Sequence, residues 1–444
     1  MTSFPYLEYT LASSVLVSAF QHYLVWRQYR KFAGRDVPGE LRGQVPPEKF
    51  AQSQAYGRER ARFSLIAGPL EEGMEWAALY YGLFPLLWRV SGRLPGRWPW
   101  PSGPAGCEYA RLLVCFGLQY VISTLSTLPL RLYSTFVIEV KYGFNRTTAA
   151  QYVKDVLLSA VVTAAVGGPV LCAIHWVLAR YGDQAGRLWL YVWLLLAALA
   201  MVFSVLWPVL IAPLFNDYQP LPEGALSSQI LSLARSVGFP LRKVYVVDGS
   251  RRSSHSNAYF YGLWRYKRIV LFDSLLEQNS GHEERIVAVL AHELGHWRYR
   301  HTLKGMALGL ARLGLYLKAY AMAAHQHRDL LLAFRFAPAD FPVPSLFGLL
   351  FFMEMLAPLD NVLNYLLNAV SRRFEFAADA YAQRIGFRQP LREALIGLHI
   401  DNLSNMNPDS WYVAWNSSHP TLVERLERLR EEGEGERDGK PKQN

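Results

Sequence analysis

"VLLSAVVTAAVGGPVLCAIHWVLA" runs from Val156 to Ala179 without one Asp, Glu, Lys or Arg. A helix of about 20 apolar residues crosses the hydrocarbon core of a bilayer, and runs this long and charge-free are rare in soluble cores. The segment therefore predicts a membrane span. Three others share the pattern: Leu188 to Asn216, Leu112 to Leu130 and Tyr9 to Trp26. Three further apolar segments carry ionisable groups. They are Glu75 to Trp88, Gly305 to Ala324 with Arg312 and Lys318, and Pro344 to Val370 with Glu354 and Asp360. Charge inside lipid is costly unless it faces a bundle interior or a water-filled cavity. The reading is a mainly α, polytopic membrane protein of about seven helices around a polar chamber.

Composition agrees. The 444 residues are 51% hydrophobic and only 18% charged, against roughly 25% charged in soluble domains. The net charge of +10 fits the basic residues that flank membrane helices on the cytoplasmic side, and no nucleic-acid partner is needed to explain it. Cys107, Cys115 and Cys172 are too few and odd in number for a disulfide framework, so they read as free thiols.

Arg27, Arg30, Lys31, Arg35 and further bases up to Arg62 follow the first span and place that loop in the cytoplasm. The N-terminus then lies on the lumenal side, and the first span is an anchor. Seven spans put the C-terminus in the cytosol. The expected organisation is spans one to five in residues 1–213, a cytosolic segment in 214–304, spans six and seven in 305–370, a second cytosolic segment in 371–432 and a disordered tail in 433–444. "LRKVYVVDGS" (Leu241 to Ser250), "NAYFYG" (Asn257 to Gly262) and "YKRIVLFDSLL" (Tyr266 to Leu276) predict strands of a small sheet.

The cytosolic segment holds "VAVLAHELGHWRYRH", Val287 to His301, within an expected helix from Glu283 to His301. Residues four apart share a helix face, so His292 and His296 can meet one ion. Glu293 lies at the adjacent edge, where a carboxylate can take a proton from water at that ion. Chance alone yields the pattern in roughly one such chain in a hundred, so it needs a third ligand. "SRRFEFAADAYAQRIG", Ser371 to Gly386, offers Glu375 and Asp379 four apart among apolar and aromatic neighbours. Glu375 can ligate, and Asp379 can fix a ligand histidine by accepting its other N–H. His301 is five residues past His296 and so off the ligand face. His255, His282, His399, His325 and His327 read as ordinary histidines. His419, in the proline-stiffened turn "SSHPT", can stabilise an oxyanion.

Together, "AHELGHW", "FEFAADAYA", "SSHPT", "SSHSNAYFYG", "KRIVLFDSLLE", "PLFN" and "YGFNRTT" resemble the CAAX prenyl protease 1 family. The resemblance runs from the first span to the last helix. It implies seven membrane helices around a large hydrated chamber, with a gluzincin-like zinc metalloprotease domain facing into it. It implies zinc on His292, His296 and Glu375, with Glu293 as general base. Asp379 would orient a ligand histidine, His419 would bind the intermediate and Arg425 would support that site. Asn257 and Ala258, on an edge strand, would hold the substrate backbone by strand addition. The implied substrates are prenylated, including farnesylated, CAAX proteins, which lose their last three residues; further upstream cleavage stays open. The implied location is the endoplasmic reticulum membrane or inner nuclear membrane, in contact with lipid. Lys440 and Lys442 resemble a dilysine retrieval signal. Two alternatives stand beside this reading. One is a quality-control protease acting on stalled membrane proteins without a prenyl group. The other is a transporter or channel with a structural zinc site.

Overall fold

Long helices dominate the chain, and a small sheet sits at one end of them. The computed structural model describes residues 4–93, 104–182, 184–262, 266–323 and 326–430. The expected disordered tail with its two lysines, His325 and most of the Pro/Gly/Trp-rich loop after Trp88 lie outside these residues.

Three helical runs among the described residues are long and apolar enough to cross a membrane: Gly106–Lys141, Ala149–Tyr181 and Gly186–Phe215. Few residues of these windows are fully buried within the chain, at 11%, 0% and 6%, so much of their apolar surface is left for lipid to cover. Each contains a single π-helical turn, at Ser134–Ile138, Thr163–Gly167 and Trp207–Ile211. The helices Tyr6–Lys31, Pro47–Tyr80 and His301–Ala323 are long enough to span but more polar. Ser345–Met355 and Ala357–Arg384 form a pair bent by 63° that is long and apolar enough to cross only when taken together.

Two boundaries differ from the sequence reading. The apolar segment Glu75–Trp88 is not one helix: it is divided between helix Pro47–Tyr80 and helix Leu83–Ser91, with Gly82 at a left-handed φ of 71° between them. The helix of the last apolar segment does not end before the acidic pair. Helix Ala357–Arg384 runs unbroken from the apolar segment through Glu375 and Asp379. The ionisable groups of the last two spans meet one another: Tyr316 donates to Asp360 at 2.7 Å, and Arg312 donates to Asn364 at 2.6 Å. This is the partnering that charge at membrane depth requires.

The sheet has four strands in the order β1 (Tyr218–Pro220), β2 (Leu241–Val247), β4 (Lys267–Phe272), β3 (Ala258–Tyr261). β2 and β4 are parallel, and the outer pairs are antiparallel. Ile269, Val270 and Leu271 of β4 are fully buried, as a central strand of branched apolar residues should be. β1 had no clear signal in the sequence. β3 is an edge strand, with Ala258 opposite Leu271 and Tyr261 opposite Arg268. The sheet packs on helix Glu283–Arg298, whose Ile286, Leu290 and Leu294 enter the same core as Leu391, Leu395, Leu422 and Leu426 from the C-terminal helices.

Candidate metal centre

Helix Glu283–Arg298 buries Ile286, Val287, Leu290, Ala291 and Leu294 along one stripe. That fixes its rotation and turns His292 and His296 toward helix Ala357–Arg384. Gly295 makes the approach possible, because a Cβ there would lie 2.9 Å from Ala378 Cα. Across this close crossing, Glu375 meets both histidines. The Nε2 atoms of His292 and His296 are 3.1 Å apart. Glu375 Oε1 is 3.3 Å from His296 Nε2, and Oε2 is 3.5 Å from His292 Nε2. Bonds of about 2.0–2.1 Å at tetrahedral angles would set donor atoms about 3.3–3.4 Å apart. The three donors thus already stand at the spacing that one small divalent cation requires. Glu375 Oε2 is buried and lacks a hydrogen bond of normal angle, although His419 Nδ1 is 3.0 Å away.

The partners around this triangle are equally specific. Asp379, which is 1% exposed, accepts from His292 Nδ1 at 2.8 Å. Arg425, itself buried, forks onto Asp379 with contacts of 2.8 and 2.6 Å. Burial alone would lower the His292 pKa, but the Asp379 and Glu375 carboxylates outweigh it and lift the imidazole to about 9. A cation and a proton therefore compete for this nitrogen. Burial would raise Glu375 and Asp379, yet their histidine and arginine partners hold both below the usual carboxylate range. Glu293 is different, because burial pushes its carboxyl up despite the nearby histidines. It borders two cavities. One of about 440 Å³ continues past His301 and Thr302 to Leu308 and Leu367 in the membrane helices. The other, of about 240 Å³, is lined by Asn257, Ala258, His399, Asn402 and His419.

One sequence expectation needs correcting. The motif helix does not reach His301; it ends at Arg298, and Arg300 takes a positive φ of 56°. A new helix begins at His301. The reversal swings His301 back, so that its Nδ1 lies 2.9 Å from His296 Nδ1 and its ring stacks on Phe374. It is off the ligand set, as expected, but it holds a ligand. His399 was also read as ordinary, yet it lines the smaller cavity and bonds Leu395 O through Nδ1 at 2.8 Å. Burial lowers its pKa to about 4, so it stays neutral. Asn402 went unnoticed; it accepts from Ser256 N at 3.1 Å, just before β3. The remaining sequence candidates gather as follows. His419 lies exposed at the rim, while Asn257 Oδ1 accepts from the Ala258 N–H at 2.8 Å on the edge strand.

Comparison with known proteins covers nearly the whole chain. Residues 28–217 match the family described as CAAX prenyl protease N-terminal, five membrane helices. Residues 220–433 match peptidase family M48. A CAAX prenyl protease 1 homolog of Oryza sativa subsp. japonica is 40% identical over 425 residues, covering 96% of this chain and 97% of that one. A CAAX prenyl protease 1 homolog of Homo sapiens is 37% identical, covering 95% and 94%. The crystal structure of S. mikatae Ste24p superposes with a TM-score of 0.88 at 35% identity, covering 97% of this chain and all of that one. A multi-pass helical membrane region, a His-His-Glu donor triangle and matches over both halves lead to one conclusion: the chain belongs to peptidase family M48, with the CAAX prenyl protease N-terminal domain of five membrane helices.

Proposed function

We propose that this chain is a zinc-dependent endopeptidase that removes the last three residues from proteins ending in a prenylated CAAX sequence. The observation that carries the reading is the triangle of His292 Nε2, His296 Nε2 and Glu375 at 3.1–3.5 Å, with Glu293 one residue from the first ligand. His292, His296 and Glu375 would hold the ion. Zinc in such a site supplies a Lewis acid and lowers the pKa of water to about 7.

The chain's own residues do the rest. Glu293, which borders both cavities beside the donor triangle, takes the proton from attacking water and delivers it to the leaving amine. Asp379 fixes the tautomer of His292, and His301 does the same for His296. Arg425 acts through Asp379, which it holds from behind. His419, at the open rim, donates to the oxygen that gains charge as the carbonyl is attacked. Asn257 and Ala258 receive the peptide as a further strand on β3. An incoming strand displaces the Asn257 side chain from the Ala258 N–H and takes that donor for its own carbonyl. The larger cavity leads among membrane helices and suits the lipid end of a prenylated substrate. The location proposed is the endoplasmic reticulum membrane, with the N-terminus lumenal and the metal centre facing the cytosol.

The test is incubation of purified protein with a farnesylated CAAX peptide, with and without a zinc chelator, followed by mass analysis. The expected product lacks three C-terminal residues, and chelation stops its formation. Cleavage that ignores the prenyl group, or persists after the metal is stripped, would sink the reading.

A further inference from the structure

A second cavity, away from the metal centre, carries chemistry of its own. It has a volume of about 850 Å³ and lies between helices Pro47–Tyr80 and Gly106–Lys141. Cavities of about 300–1,000 Å³ are the size that holds small ligands. Its upper wall is basic: Arg58, Arg62 and Lys141 face one acid, Glu59. Lys141 and Tyr142 both bond Glu59, so one positive charge is neutralised. Arg58 lies over the Tyr29 ring at 5.0 Å and donates to its hydroxyl at 3.4 Å, and Arg62, whose charge acts on Glu59, has no hydrogen bond or close ion pair among the described residues. The cavity keeps about two uncompensated positive charges.

Arg58 and Arg62 are four apart on one helix face, an arrangement that destabilises a helix by itself. An anion between them removes that cost. The lower wall is of a different kind. Phe63 stacks on Tyr133 at 5.5 Å, and Ile66 is 55% exposed beside Pro129 and Leu130. Arg62 is the last charge on its helix before the uncharged run Phe63 to Leu70, and the run Leu112 to Leu130 ends against the same cavity. Charge at one end and exposed apolar surface at the other, where the charge-free run of each helix begins or ends, suit a phospholipid better than a wholly soluble ion.

From this juxtaposition of Arg58, Arg62 and Lys141 with the open apolar wall at Phe63, Ile66 and Tyr133, we infer a binding site for the phosphate-bearing headgroup of an anionic phospholipid. Its acyl chains run down the Ile66 face. The site also touches the catalytic half of the molecule. Lys141 closes a helix whose Glu139 accepts from Tyr56 at 2.9 Å and lies 3.8 Å from His255, in the loop that leads to β3. The inference stands independently of which peptide the enzyme cuts.

The test uses full-length protein in neutral detergent, titrated with phosphatidylserine or phosphatidylcholine of identical acyl chains, with bound lipid counted by native mass spectrometry. The wild type should take phosphatidylserine in clear preference. Each cation near an anionic headgroup contributes about a factor of five, so R58Q/R62Q should lose roughly thirtyfold of that preference, and R58K/R62K should keep most of it. I66W should fill the acyl path and weaken binding of both lipids with the charges intact, which tests the site even if the glutamine variant does not fold. Competition by millimolar inorganic phosphate that removes the phosphatidylserine would assign the cavity to a soluble anion and overturn the lipid reading. Equal uptake of the two lipids by the wild type would overturn it as well, as would an unchanged preference in R58Q/R62Q.

Discussion

Gly295 of the motif helix lies directly against Ala378 of the opposite helix, with space for a hydrogen and no more. A Cβ at Gly295 would stand 2.9 Å from Ala378 Cα and 3.0 Å from its carbonyl oxygen. Backbone cannot yield as a flexible side chain can, so the two helices must part. The ligands sit one residue and one turn from this crossing, and all three donors depend on it. Gly295→Ala should lower stability by about 1–3 kcal/mol as an overpacked core does. It should also lower bound zinc disproportionately, read by metal analysis of folded protein. Full metal occupancy in a variant of wild-type Tm would show that the close crossing does not set the site.

Arg425 and Asp379 form a buried pair beneath His292. Removing one partner strands a charge, at a cost of about 3–5 kcal/mol. Asp379→Ala should therefore both destabilise the protein and weaken zinc. The double variant Asp379→Leu with Arg425→Met should recover much of the stability, since no charge is left unpaired, yet it should not recover zinc affinity, because His292 Nδ1 still lacks its acceptor. Chemical denaturation together with zinc titration separates the two effects.

His301 tests the same logic on the other ligand. Its Nδ1 contacts His296 Nδ1 at 2.9 Å and touches no other ligand donor. Loss of such an outer partner costs about 10–100-fold in metal affinity. His301→Ala should show that loss by competition with a chelator, while His301→Asn, which can still accept at a similar distance, should retain more. Equal affinity in both variants would make the contact incidental.

Much of this was legible in the sequence, and the exceptions have physical causes. Charge-free runs revealed the most apolar spans because lipid imposes a length and a composition. His292 and His296 were legible as a pair because i,i+4 spacing determines a shared face within a helix, whereas the meeting of Glu375 with them, at 3.3–3.5 Å across two helices, has no spacing to announce it. What sequence spacing cannot carry is the path of the chain between helices. The positive φ at Arg300 has no residue signature, since glycine or asparagine is the usual occupant, so the return of His301 onto His296 was hidden. The continuity of the last span with the helix bearing Glu375 was hidden too, because hydropathy falls where that helix leaves lipid although its backbone does not change. The contact of Gly295 with Ala378 and the hold of Asn402 on Ser256 join residues far apart in sequence.

Asp409 gives a pH-dependent contact between the first span and the C-terminal segment. It accepts from Arg27 through both oxygens, at 3.1 and 2.9 Å, and caps the helix Ser410–Asn416 through the N–H groups of Trp411 and Tyr412. Burial would raise its pKa, but Arg27 and the two N–H groups hold it below the ordinary value. A carboxyl lowered on folding contributes stability that is complete above its unfolded pKa of about 3.9 and is lost as pH falls through the folded value. Protection of the Trp411 and Tyr412 amides should thus be flat from pH 8 to 5 after correction for intrinsic exchange, and should fall only in stronger acid. Asp409→Ala should accelerate their exchange about fivefold at neutral pH, the effect of losing about 1 kcal/mol of capping. A protection step near pH 6 to 7 in the wild type would contradict this assignment.

Glu293 separates chemistry from metal binding. It borders both cavities beside the donor triangle, yet it is not one of the three donors. Glu293→Gln keeps the shape and removes the base, so zinc content and Tm should stay near wild type while turnover of a prenylated peptide falls by about 10²–10⁴-fold. The loss should appear in kcat more than in KM, because the missing proton transfer belongs to the transition state. If Glu293→Gln still cleaved at a wild-type rate with its metal in place, the proton would have to leave by another route and Glu293 would not be the base.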